Sequence, residues 1–183
     1  GLARALWERG GASALREAWA SPPASTEQVL HPELFFRQEA PRRVRPRTTA
    51  PRGSRLLSEG VLGELLLRTL LEEPRAQAAA GWGGDGWRLW DVGGRTLLAW
   101  RSEWDTRART SAFHDALRDR FARNLGPSRT QDGWEVFEKA NARWFGVRRA
   151  DDAVELVSAD DAALFAGLLR ASVSNGSAAR AGE

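Results

Sequence analysis

His31 and His114 are the only imidazoles in the 183 residues, and they limit the chemistry this chain can do by itself. Glu27 lies four residues before His31 and Glu33 two after it. On a short helical turn the four-residue spacing brings a carboxylate beside the ring, so Glu27, His31 and Glu33 form a candidate carboxylate–imidazole cluster. The simpler reading is that His31 closes a helical turn and bonds a backbone carbonyl. His114 falls beside the apolar stripe of an amphipathic helix and reads as a part-exposed surface residue. Neither histidine sits in a His-Glu-x-x-His or other metal-ligand spacing, so no metal or other cofactor is expected in this chain. The absence of cysteine excludes disulfides, thiolate zinc sites and cysteine nucleophiles. Serine and threonine find no histidine–acid pair to activate them, so no hydrolytic triad and no catalytic residue is expected.

Asp85, Asp91, Glu103 and Asp105 fall around the ends of an expected hairpin, and paired carboxylates there can exchange protons. Asp85 has a simpler use as an acceptor for loop N–H groups, and Asp105 as a helix N-cap. Gly81-Trp82-Gly83-Gly84-Asp85-Gly86 lacks the Gly-Lys-Ser/Thr of a phosphate loop and reads as a tight helix-to-strand connection. Trp82, Asp85, Trp104 and Asp105 are candidate interaction residues, although core filling is the default for large aromatics, and the chain has nine tryptophans and no tyrosine. The net charge of +3 is concentrated in Arg37, Arg42, Arg43, Arg45, Arg47, Arg52 and Arg55, opposed there only by Glu39. Pro41, Pro46 and Pro51 mark that stretch as an extended, solvated linker; polyanion binding through 37–55 is the alternative, with nucleic acid not expected as a partner.

The elements that must position these residues follow from periodicity. Residues 1–20 read as a helix broken near Gly10 and Gly11 and ended by Pro22 and Pro23. Ser25 and Gln28 make a capping box for a short turn that Pro32 stops. The apolar run 56–71 predicts one helix packed on two sides, followed by a short helix through Ala76–Ala80. Trp87–Val92 and Arg95–Arg101 flank Gly93-Gly94, a two-residue hairpin signal. Asp105 or Thr106 starts a helix to about Asn124. Strands Trp134–Glu138, Arg143–Arg149 and Ala153–Val157 follow, and Ser158 is expected to cap a last helix. The class is therefore α+β: N-terminal helices and the Arg/Pro-rich linker over 1–55, then a domain over 56–172 with an antiparallel sheet of about five strands in the order β-β-α-β-β-β-α and helices on one face, then a flexible tail over 173–183. No apolar run approaches the length of a membrane span.

Ser25-Thr26-Glu27-Gln28-Val29-Leu30-His31-Pro32, followed by Leu62-Gly63-Glu64, Gly81-Trp82-Gly83-Gly84-Asp85 and Trp100 to Thr106, resembles the C-terminal half of a family of secreted or lipid-anchored proteins related to minigluzincin-like zinc metallopeptidases. The resemblance covers Gly1 to about Phe121; Gly86 departs from the bulkier residue usual after Gly-Gly-Asp. It implies an exported parent, in the cell envelope or outside the cell, whose peptidase-like helices and zinc precede this portion, and it carries no zinc ligand or catalytic base onto any residue here. The expected function is a noncatalytic accessory or interaction domain, not an enzyme alone, that packs against a protein partner or the upstream half of the same protein. The alternative is part of a composite metallopeptidase with Glu27, His31 or Glu33 lining the substrate cleft.

Overall fold

A computed structural model describes residues 1–139 and 143–178. The glycine pair does what its positive φ angles allow: Gly93 and Gly94, at φ 62° and 82°, join β2 (Trp82–Val92) to β3 (Arg95–Trp104), the second and third of seven strands, with Val92 opposite Arg95. The other strands are β1 (Arg55–Gly60), β4 (Arg129–Gln131), β5 (Trp134–Lys139), β6 (Arg143–Ala150) and β7 (Ala153–Ala159). They form one antiparallel sheet in the order β1-β2-β3-β7-β6-β5-β4. The class is α+β, as the periodicity indicates, with seven strands where about five are expected.

The extra strands are β1 and β4. Residues 55–60 sit in an apolar run that reads as helix, but their backbone pairs with β2, from Arg55 opposite Asp91 to Gly60 opposite Trp87. Sheet pairing overrides the weak helical period there, and only Gly63–Leu71 forms the helix, α4. The tryptophan–glycine segment 82–86 is likewise strand and not the expected connection, because the glycines admit another stretch of backbone. A Cβ on Gly84 would stand 2.3 Å from the carbonyl oxygen of Arg42, and one on Gly86 2.2 Å from that of Val44. The Arg42 N–H also donates to Gly83 O at 2.7 Å. The expected linker is thus irregular but not solvated throughout, since Val44 and Thr48 are buried against the sheet.

Alternation along the strands gives the sheet two apolar faces. Trp100 and Trp104 of β3, Val154 and Leu156 of β7 and Phe137 of β5 pack against α4 and α5 (Arg107–Leu125) through Leu67, Leu71, Phe113 and Leu117. Leu97, Ala99, Val157, Ala159, Trp134 and Val136 face α6 (Ala162–Ala178) through Phe165, Leu168 and Leu169. Helices therefore cover both faces and not one, because β7 is buried at all seven positions and needs cover on each side. On the α6 face Glu155 is buried between Arg101 and Arg148, at 2.6 Å from each.

Thr106 caps α5 by accepting from Arg109 N. Asp161, and not Ser158, caps α6 by accepting from Leu164 N; Ser158 is fully buried within β7. The α6 backbone continues to Ala178, past the expected boundary at 172, and the remainder of the expected tail, 179–183, lies outside the described residues. At the other end α1 (Leu2–Ala20) is broken at Gly10 and Gly11 and buries only Leu2 and Leu6. It is followed by α2 (Thr26–Leu30) and α3 (Pro32–Phe36).

Candidate functional site

The start of α4 brings the candidate residues together. Its first N–H groups lack partners within the helix, and side chains from outside supply them. Asp85 of β2, fully enclosed, accepts four hydrogen bonds: Oδ1 from Gly63 N at 2.9 Å and Trp82 Nε1 at 3.0 Å, Oδ2 from Leu62 N and Trp100 Nε1 at 2.9 Å each. Thr26 Oγ1 accepts from Leu65 N at 3.3 Å and fastens α2 to α4. Gly63 is required there: its φ is 75°, and a Cβ would lie 2.5 Å from Thr26 Oγ1.

The next residue, Glu64, is fully buried. Its Oε1 lies 3.0 Å from His31 Nε2 and accepts a longer bond from Arg68, at 3.5 Å. Its Oε2 is enclosed and has no hydrogen-bond partner among the described residues. Glu27 is also buried, and its pKa is raised to about 7. Burial is the main cause; the negative charges of Asp105, Glu64 and Glu39 add to it, and His31 opposes them. His31 is part-exposed, and its Nδ1 lies 3.9 Å from Glu33, which is largely exposed. Asp105 is held by Arg42 at 3.0 Å. Ser25 caps α2 by accepting from Gln28 N, while Gln28 Oε1 accepts from Ala24 N and its amide donates to Glu39 O. These bonds fix α2 and keep Glu27 in place.

The structure joins His31 to Glu64, sets Glu27 within reach of the charges of both, and leaves Glu33 at the margin. It places Trp82, Asp85 and Trp104 in the interior, with Trp104 stacked on Phe113 at 4.3 Å, so they offer no surface to a partner. Of the four candidate interaction residues only Asp105 is exposed. The reason is that the glycine-rich segment lies in the sheet, where a register shift between Trp82 and Gly84 turns both Trp82 and Asp85 to the core. His114 is largely covered, with Nδ1 3.2 Å from Asp115. Glu64 stands in the sequence only within the Leu62-Gly63-Glu64 motif, and neither it nor Arg68 is expected at the site; the available signal is that Glu64 is the lone acid within the apolar run Val61–Leu71. The site can hold and exchange a proton near neutral pH. Among the described residues no group of three or more histidine, aspartate and glutamate side chains is placed to hold a metal ion.

The site borders an apolar surface. Leu56 and Leu57 of β1, Val61, and Leu65, Leu66 and Leu70 of α4 are exposed, as is Val29 of α2. β1 is a sheet edge, exposed along nearly all its length. A groove of about 700 Å³ opens between α1 and the α2–α3 pair, lined in part by Leu6, Arg9, Gln28 and Phe36, and does not include Glu27, His31 or Glu64. Among the described residues no helix is long and apolar enough to cross a membrane. No curated protein and no solved structure matches the chain. One family model matches, described as a domain of unknown function; its span of residues 53–169 contains Glu64 and Asp85 but not Glu27 or His31. By that match over more than half its length, the chain belongs to the DUF8575 family.

Proposed function

We propose that this is a noncatalytic accessory domain of an exported protein, which docks a protein partner on the surface formed by β1, α2 and α4. The observation that carries the reading is the row of exposed apolar side chains from Leu56 to Leu70. In water such exposed side chains are costly, and several of them on β1, α2 and α4 are a usual mark of a protein contact. The partner suggested by the sequence resemblance is a peptidase-like half of the same parent protein, and export to the envelope or beyond rests on that resemblance alone. Hydrogen exchange compares the isolated chain with such a parent: slower exchange of the α4 amides in the parent is expected. Substituting Leu66→Glu and Leu70→Glu together restores fast exchange in the parent and leaves the isolated domain within about 0.5 kcal/mol of its original stability. Equal exchange rates in domain and parent overturn the reading.

A second reading draws on the meeting of Glu27, His31 and Glu64: the domain supplies an acid–base group to a composite metallopeptidase. In that case His31→Ala abolishes peptide cleavage by the parent. Unchanged cleavage and metal content remove it.

A further inference from the structure

Residues 41–50 form a strap that follows β2 in the same direction. The Arg42 carbonyl lies against Gly84 and the Val44 carbonyl against Gly86, so two residues of the strap advance with two of the strand. That is the rise of extended chain, about 3.3 Å per residue. Ala50 carries the path on to the cluster around Trp90 and Val92. Exposure alternates accordingly: Val44 and Thr48 are buried, while Arg43, Arg45 and Arg47 are exposed. Pro41 and Pro46 restrict the backbone further.

The charges of the strap divide into two sets. Arg37 pairs with Glu39, Arg42 with Asp105 and Arg55 with Asp91. Arg43, Arg45 and Arg47 have no acidic partner among the described residues. Arg43 and Arg45 are thus presented two residues apart, roughly 6.6 Å along extended backbone, and Arg47 follows at a bend of the chain. They stand on a backbone that the glycine cradle already holds.

The geometry points to a binding site for an extended acidic polypeptide, with Asp or Glu at alternate positions, laid along the outer side of residues 43–47. An extended peptide has the same two-residue repeat, so alternate carboxylates meet Arg43 and Arg45, whose forks of N–H donors fit them in bidentate bonds, and Arg47 adds its charge at the bend. The strap is ordered before binding, and the ordering cost falls on the ligand alone. A single-stranded nucleic acid fits less well, because such strands also stack bases on exposed aromatic rings. The tryptophans of β2 are buried or half-buried, and the exposed ones, Trp7 and Trp19, lie on α1. The site is separate from the apolar surface of β1 and α4 and stands without it.

Fluorescence anisotropy with the full chain tests the proposal. The probes are a labelled peptide of alternating Glu and Thr, a peptide of the same composition with its glutamates in one block, and a thymidine oligonucleotide. The alternating peptide is expected to bind tightest at low ionic strength. Replacing Arg43, Arg45 and Arg47 together by Gln weakens it about tenfold and flattens its salt dependence, with the thermal midpoint unchanged. Equal affinity for the two peptides, tighter binding of the oligonucleotide, unchanged affinity of the triple variant, or no binding at low salt would each overturn it. The comparison between the two peptides uses the unaltered chain and does not depend on the variant's folding.

Discussion

Asp85 and Glu64 are both enclosed carboxylates at the first turn of α4, and they are treated in opposite ways. Asp85 accepts from two backbone N–H groups and two indoles, and both of its oxygens are used. Glu64 shares one oxygen between His31 and Arg68 and leaves the other without a partner. A buried carboxylate with every acceptor position served is a structural joint, here tying β2, β3 and α4 together. One that is half served, beside a part-exposed imidazole and a second buried carboxylate, costs stability where it stands. Proteins keep such groups where protons or partners are handled. The contrast places the fold's anchor, from β2, and a half-served carboxylate, from α4, at the same helix start.

Removing the anchor has the largest expected effect. Asp85→Ala leaves three buried donors and one part-buried donor without an acceptor and destabilises the domain by about 4 kcal/mol, read by urea unfolding. A loss below about 1 kcal/mol would erase the distinction between the two carboxylates.

Glu27→Gln sharpens the comparison from the other side. The folded pKa of Glu27, about 7, exceeds its ordinary value of 4.5, so as pH rises the unfolded chain releases this proton first. The folded state therefore loses stability between about pH 4.5 and about pH 7 and is level above that range. Gln carries no charge at any pH. The variant is expected to be more stable by about 2 kcal/mol above neutrality and no more stable in acid, which thermal midpoints at the two extremes measure. A gain of the same size at both extremes contradicts a buried, ionising Glu27.

The smallest effect belongs to His31→Ala. It takes away the nearer partner of Glu64 Oε1 but leaves Arg68, and the expected loss in the isolated domain is about 1 kcal/mol. A loss equal to that of Asp85→Ala makes His31 another structural joint and removes the contrast.

Much of this was legible in the residues. The Gly93-Gly94 hairpin, the break at Gly10 and Gly11, the Ser25 cap and the helix after Thr106 all rest on local rules, and each is found. Glu27 and His31 were within reach because four residues of helix bring them together. Their partner Glu64 was not, since it comes from an element thirty-three residues away. Residues 56–60 misled for a related reason: an apolar run suits a buried helix or a sheet edge equally, and only pairing with β2 decides between them. The arginine stretch looked like a linker because nothing local says that Gly84 and Gly86 will receive its carbonyls.

By itself the sequence determined the α+β class, the main turns and caps, and the lack of any cysteine-based chemistry, all consequences of short-range geometry and residue type. The tertiary structure alone decided that helices cover both faces of the sheet, that Trp82, Asp85 and Trp104 are interior, that Glu64 completes the cluster with Glu27 and His31, and that the strap is held in register. Each depends on which distant backbone arrives at a given place. No local periodicity records that, because the contacts are chosen by the burial of the whole sheet.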